Sequence, residues 1–402
     1  MYIYQRNTGG DWVFFQKIVT ADRNIGDQFG EGVAMDGDVL AVGSWKNKLD
    51  ENGANSTSNA GAVYVFEKGS DDKWVEVKKL VASDRTSNDY LGQTLQVDGN
   101  TIVVGTPTDG TGIGTAVEKS EAGSIVVFGK VNGTWKETQK IVCPDYDRSY
   151  RFGESVSVSG DYILAGSPYM SQPISSGQGL NQNGEVYVFK KQSDGTWAVD
   201  QMIVAGDRLD SDHFGEAVSM SGNRIVVSAP ATNTDENGLN YSFSTGAVYV
   251  FDKQSDGTWL ESKKVVLIDR TNTEYFAEKI ALSGDVFLAA SDGDNTDANG
   301  ANEISWAGAA YIFSTGGSNG AESISNDATR VYPNPNTGLF SVTSESRIDN
   351  LKIYDQSGRL VKTINVSNTQ KSIEVQLAKS GVYFVHVQSE NATKVLKAVV
   401  VK

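Results

Sequence analysis

Much is scarce in this chain of 402 residues, and each scarcity excludes something. There is one cysteine, Cys143, so an internal disulfide framework and a cysteine-based zinc site are excluded. Two histidines, His213 and His386, are too few for a histidine-rich metal centre. Proline occurs only 7 times. No apolar run reaches the ~18 residues that a membrane-spanning helix requires. No GxSxG, HExxH, P-loop or dinucleotide-binding pattern occurs, so no catalytic residue is assigned and the chain reads as a non-enzyme. Residues 1–20 lack the basic flank and apolar stretch of a signal peptide. Basic residues are outnumbered 35 to 50, for a net charge of −15. Phosphate binding needs a basic surface, so nucleic acid is excluded as a partner. The deficit is local. Residues 330–402 hold 10 Lys/Arg and 5 Asp/Glu, a net of +5, and the rest of the chain carries −20.

Glycine is abundant, at 42 residues, alongside many Asp, Asn, Ser and Thr. That composition predicts an all-β chain with many turns. Four markers then recur in one register. Gly61-Ala62-Val63-Tyr64-Val65-Phe66 returns at Gly123, Gly184, Gly246 and Gly308, with spacings of 62, 61, 62 and 62. Phe29-Gly30 returns as Leu91-Gly92, Phe152-Gly153, Phe214-Gly215 and Phe276-Ala277. Tryptophan stands at 12, 74, 135, 197 and 259, and aspartate at 22, 84, 145, 207 and 269. Five repeats of about 62 residues follow.

Each repeat reads as four strands. The first alternates with period two, as at Val33 and Met35, and ends at a turn glycine at 37, 99, 160, 222 or 284. The second is apolar and ends in small residues, as in Val39–Gly43. The third is the GAVYVF run, apolar on both faces and so expected to be covered on both. The fourth begins at the tryptophan. Four-stranded units repeated about an axis describe a β-propeller over residues 1–313; an open β-solenoid is the alternative.

The pairing of Phe-Gly with a downstream Gly-Ala-Val-Tyr-Val-Phe resembles the FG-GAP repeats of integrin α-chain-like propellers and their bacterial relatives. Such repeats often hold calcium in a hairpin loop between the first two strands. Here that loop has shrunk to Asp36-Gly37-Asp38 or Ser159-Gly160-Asp161, too few oxygens for calcium. The resemblance implies seven blades. Tyr2-Ile3-Tyr4 aligns with Tyr64-Val65-Phe66 and Trp12 with Trp74, so the chain opens at the third strand of a repeat. The expectation is a fragment of a larger ring whose signal peptide was lost by truncation. Residues 12–20 would be able to complete the last blade, but Tyr2–Arg6 would then be surplus.

Residues 314–329 read as a flexible polar linker. Beyond them, short apolar runs alternate with turns, as expected of a small immunoglobulin-like β-sandwich over 330–402. The markers here are Tyr332-Pro333-Asn334-Pro335, Gly338, Ile353-Tyr354-Asp355, Gly358-Arg359, Gly381-Val382-Tyr383, Lys394, Lys397 and Lys402. They closely resemble the type A C-terminal sorting domain of the type IX secretion system of Bacteroidetes-type bacteria. That resemblance implies export to the cell surface or beyond, with the type IX translocon and sorting machinery as partners.

The candidate binding surface is the set of long loops joining second and third strands. Three share a register: Asp50-x-Asn52-Gly53, Asp235-x-Asn237-Gly238 and Asp297-x-Asn299-Gly300. These are weak calcium candidates, with an Asx-type turn the favoured reading; no other cofactor is expected. The same loops carry non-repeating aromatics, Trp45, Tyr169, Tyr241, Phe243 and Trp306, which suit either sugar stacking or loop packing. The repeated Asp-Arg pair (Arg23, Arg85, Arg208, Arg270) reads as a structural device. The functional expectation is a secreted or surface-displayed binding protein, adhesion-like, for a glycan or a protein. The alternatives are a polysaccharide-active enzyme, which needs two carboxylates about 5–9.5 Å apart, and a structural surface-layer component.

Overall fold

The computed structural model describes residues 1–110, 121–144, 150–171, 181–267, 273–295, 304–315, 330–332, 338–344, 347–355, 359–366, 370–389 and 392–400. The chain divides into two units, Met1–Gly317 and Ser318–Lys402. No described residue is helical.

In the first unit, consecutive antiparallel strands form four-stranded sheets. Blade 1 is Phe29–Asp36, Val39–Ser44, Ala62–Lys68 and Trp74–Leu80. Blade 2 is Thr94–Asp98, Thr101–Thr106, Ser124–Val131 and Thr134–Val142. Blade 3 is Val156–Ser159, Tyr162–Ser167, Glu185–Lys191 and Trp197–Ile203. Blade 4 is Val218–Ser221, Arg224–Ala229, Ala247–Lys253 and Trp259–Val265. Blade 5 has three strands, Lys279–Ser283, Val286–Ser291 and Ala309–Ser314. The five turn glycines all lie at φ between 52° and 59°, the left-handed region that the two-residue hairpins require.

Tyr2–Arg6 and Trp12–Lys17 form a separate hairpin. Trp12–Lys17 pairs with Tyr2–Arg6 and does not complete blade 5. The hairpin docks on blade 1 through Gln16, whose side-chain amide donates to Trp74 O and accepts from Trp74 N–H, at 2.8 and 2.9 Å. Gln139 makes the same pair of bonds to Trp197, and Gln201 to Trp259. The hairpin therefore stands to blade 1 as the outer two strands of one blade stand to the next, as the alignment of Trp12 with Trp74 predicts. Trp12 itself is 70% exposed, whereas Trp74, Trp135, Trp197 and Trp259 are buried.

The Phe-Gly and Gly-Ala motifs together join blade to blade. The aromatic ring docks within its own blade: Phe214 meets Tyr249 and Phe251 edge-on, with centroids 5.5 and 6.0 Å away. Phe152 and Phe276 repeat the arrangement, and all three are fully buried, a contribution of about 2–3 kcal/mol each. The glycines meet backbone to backbone across the junction. Gly61, Gly123 and Gly184 form parallel bridges with Leu91, Phe152 and Phe214 of the following blade. A Cβ on Gly43 would lie 1.8 Å from Gly92 O, and one on Gly166 would lie 2.1 Å from Gly215 O. No side chain larger than hydrogen fits such a contact.

The third strands of blades 1 to 4 are buried on both faces through their first five residues. In blade 5 the equivalent strand alternates between half-buried and exposed residues, which corrects the expectation of double coverage there.

The repeated aspartate is a structural device wherever it is described. Asp22 Oδ1 accepts from the Tyr64 hydroxyl at 2.7 Å, and Asp22 Oδ2 pairs with Lys79 Nζ at 2.6 Å. Burial alone would raise the Asp22 carboxyl, but its bonds to Lys79 and Tyr64 hold it below the ordinary value. Asp207 repeats the pattern with Tyr249 at 2.8 Å and Lys264 at 2.7 Å, and Asp84 with Lys140 at 2.5 Å. Arg85 reaches back to the preceding blade's loop, donating to Lys48 O and Asn55 O. Asp145, Asp269 and Arg270 lie outside the described residues.

The second unit contains two sheets. One is ordered Arg330–Tyr332, Leu339–Thr343, Ser372–Gln376; the other is Leu360–Asn365, Ile348–Asp355, Gly381–Ser389, Ala392–Val400. Both contribute to one core. Phe340, Val342, Ile373 and Val375 come from the first sheet, and Leu351, Ile353, Val385 and Val387 from the second. Alternate residues point inward, so this is a sandwich. Gly338 O accepts from Leu377 N–H, and the Tyr383 hydroxyl donates to Lys379 O at 2.9 Å. Pro333, Asn334, Pro335, Gly358 and the 316–329 stretch lie outside the described residues, as do the side chains of Tyr332, Lys394 and Lys397.

Candidate functional site

In every repeat the residue before the Phe-Gly motif has positive φ: Gln28 at 55°, Tyr90 at 56°, Arg151 at 50°, His213 at 55° and Tyr275 at 48°. The conformation is constant because the junction behind it is constant. The side chain is not. Tyr90, Arg151, His213 and Tyr275 each donate their backbone N–H to the preceding blade's long loop. At the first junction Trp45 fills the gap by packing edge-on against Tyr90, with centroids 4.9 Å apart. At the third, Tyr169 packs against His213, also at 4.9 Å. In the repeat register Tyr169 is replaced by Ala231 in blade 4 and Gly293 in blade 5. With no large side chain there, the junction of blades 4 and 5 opens into a cavity of about 560 Å³.

Tyr169 and His213, Tyr241 and Phe243 of the blade 4 loop, and Tyr275 all line that cavity. Tyr241 is 69% exposed and Phe243 53%. Three of the five sequence-predicted aromatics thus converge. Trp45 is packed against Tyr90 with Lys46 over its ring, and Trp306, 63% exposed, does not line the cavity.

Carboxylates reach the same space. Glu216 and Glu278 line it, each the residue after a Phe-Gly or Phe-Ala pair, and Asp210 joins them from the connecting loop. Burial, followed by the charge of Glu154, pushes the Glu216 carboxyl up to about 7, against the opposing pull of Lys279 and Arg151. Burial also raises Glu154, whose Oε2 lies 3.2 Å from Arg151 Nε. Glu278 is raised by burial and then by a hydrogen bond to Asp292 and the charge of Asp292. Burial lowers His213, which keeps its ring neutral at pH 7.

Glu216 has a consequence for stability. Its native carboxyl holds a proton to about pH 7, whereas the ordinary value is 4.5. The unfolded chain therefore releases that proton first, and the native state loses stability as pH rises through this window. Glu216→Gln is expected to stabilise the protein by on the order of 2 kcal/mol at pH 8 and to be neutral at pH 4, read from urea unfolding. An equal effect at both pH values would refute the burial assignment.

The loop carboxylates once weighed for calcium are engaged in turns. Asp50 Oδ1 accepts the N–H groups of Asn52 and Ala54, both at 2.9 Å, and its Oδ2 accepts from Asn55 Nδ2 at 2.5 Å. Asp235 does the same with Asn237, Leu239 and Asn240. Gly53 and Gly238 supply the positive φ that closes each turn, the Asx-type geometry. Asp297 and Asn299 lie outside the described residues. Among the described residues no three acidic, histidine or cysteine side chains converge as metal ligands.

Sequence reasoning meets His213 only as one of two histidines and does not select Glu216, Tyr275 or Glu278. A signal was present in the positions flanking Phe-Gly, where the register is constant and the residue before it varies.

Comparison with known proteins agrees with this architecture. The FG-GAP repeat profile matches residues 12–66, 74–128, 135–189 and 197–251. The secretion system C-terminal sorting domain profile matches residues 330–402. No curated protein matches. A crystal structure of a protein from Lactobacillus plantarum is similar at 13% identity and a TM-score of 0.43, over 93% of this chain and 95% of that one. The sorting domain implies engagement with the type IX machinery and export to the cell surface or the extracellular space. With its repeats matched over more than half of its length, the chain belongs to the FG-GAP repeat family, an all-β propeller-type protein carrying a type IX sorting domain.

Proposed function

We propose that this protein is an exported, non-enzymatic, adhesion-like binding protein that holds a saccharide in the cavity between blades 4 and 5. The observation that carries the reading is the convergence of Tyr169, Tyr241, Phe243 and Tyr275 on one cavity. Two of these rings, Tyr241 and Phe243, are more than half exposed. Aromatic walls with a few polar groups favour the alternating apolar and hydroxylated faces of a pyranose ring.

A polysaccharide hydrolase is the second reading, because a carboxyl raised to about 7 beside another acid suits general acid catalysis. Against it, glutamate occupies the Glu216 position in four of the five repeats, at Glu31, Glu154, Glu216 and Glu278. That recurrence counts against an acid dedicated to catalysis in one blade.

Binding of full-length protein to an array of extracellular glycans tests the proposal. Tyr241→Ala with Phe243→Ala is expected to weaken retention at least tenfold, with no reducing ends released by either form. Release of reducing ends would turn the reading to the hydrolase. Export is tested separately: deleting residues 330–402 is expected to leave the protein inside the outer membrane, and secretion of the deleted form would sink that assignment.

A further inference from the structure

We propose that the saccharide held by this cavity carries a free amino group, seated as an ammonium on Glu216 while its ring stacks on the aromatic wall. The inference rests on the saccharide reading and deepens it.

The chemistry of the lining points to a cation. Three acidic residues line the cavity, Asp210, Glu216 and Glu278, and among the described residues no lysine or arginine does. Glu216 Oε2 is buried and has no hydrogen-bond donor. An acceptor in that state leaves a charge-assisted bond unmade, and the strongest donor that fits is an ammonium. The other two acids are already engaged: Glu278 is hydrogen-bonded to Asp292, and Asp210 Oδ1 accepts from Asn181 N–H at 3.0 Å. Glu216 is therefore the acceptor left for a ligand.

The groups facing Glu216 define the site's charge. Glu154 repels it, and Glu278 adds a weaker repulsion. Lys279 and Arg151 attract it, but Arg151 is held by Glu154 and lies over the Tyr169 ring at 5.5 Å. Lys279 is exposed and on a flexible stem, so a bound ammonium takes over its role at little cost. The neutral His213 adds no competing charge. The tyrosine and phenylalanine faces themselves attract cations. The net charge of −20 over residues 1–329 draws positively charged oligomers toward the surface. An N-acetylated sugar lacks the charge, and an acidic sugar is repelled.

The binding should carry a proton linkage. As pH falls from 7 to 5.5 Glu216 takes up its proton, so the preference for the charged sugar over the neutral ones is expected to shrink.

The experiment is calorimetric titration of the full-length protein with four probes: a β-1,4-glucosamine tetramer, its fully N-acetylated counterpart, a β-1,4-glucose tetramer and tetralysine. The glucosamine tetramer is expected to bind at least tenfold more tightly than either neutral sugar. Glu216→Gln, which keeps shape and removes charge, is expected to abolish that preference without abolishing residual sugar binding. Equal affinity for all three sugars would overturn the amine assignment and leave the saccharide reading standing. Tight binding of tetralysine with none of the sugars would overturn the saccharide half. Binding by no probe would overturn both. A preference for the glucosamine tetramer that survives in Glu216→Gln would show that the ammonium sits elsewhere.

Discussion

Alanine at Gly43 is expected to destabilise the propeller unit by at least about 3 kcal/mol, seen as a lowered midpoint of urea unfolding. The added methyl would stand 1.8 Å from the carbonyl oxygen of Gly92 and 2.7 Å from its carbonyl carbon. Both are backbone atoms of the next blade, so no rotamer change relieves the clash. The blades must part, and the bridge between Gly61 and Leu91 parts with them. The control is Gly37→Ala, at φ +53° with no atom within 4 Å of the new methyl. Only backbone strain acts there, and about 1 kcal/mol is expected. Equal effects at the two positions would mean that glycine serves chain freedom in this fold and not close approach.

Asp207→Ala is expected to be the second large loss, about 3 kcal/mol. The Lys264 side chain is 4% exposed, with Asp207 at 2.7 Å and Thr234 Oγ1 at 2.8 Å. Removing the carboxylate leaves a buried ammonium with one neutral partner and takes away the acceptor of the Tyr249 hydroxyl at 2.8 Å. Blade 3 indicates the remedy, because Met202 stands there in the place of Lys264. Asp207→Ala combined with Lys264→Met should therefore recover more than half of the loss, in a comparison of single and double variants. A double variant no better than Asp207→Ala alone would show that the ion pair is not what is lost.

These two cases also show what the sequence made legible. The glycines, the aspartates and the tryptophans recur in one register, and each recurrence reports a contact that every blade repeats. The fold followed because the same local pattern was written several times over. The cavity was harder to see. It exists because Ala231 stands where Tyr169 stands one repeat earlier, a departure from the pattern and not an instance of it. Its lining comes from residues far apart in the chain, from Tyr169 to Glu278. Tyr169, Tyr241 and Phe243 were visible as non-repeating aromatics, but Trp45 looked the same and turned out to pack on Tyr90. Exposure of a ring depends on the neighbour across the junction, which periodicity does not report. Glu216 was hidden for the opposite reason: it repeats, and repetition reads as framework.

The positive-φ residue before each Phe-Gly has a wider implication. Its backbone is fixed by the glycine junction, so its identity is free to differ: glutamine, tyrosine, arginine, histidine, tyrosine. Each blade thus presents one interchangeable side chain in a constant pose, like a set of sockets accepting different fittings. Specificity in such a molecule is changed one socket at a time, without rebuilding the rack. Exchanging His213 for the tyrosine or arginine of its sister repeats changes the lining of the cavity and is expected to leave the joints between blades as they are.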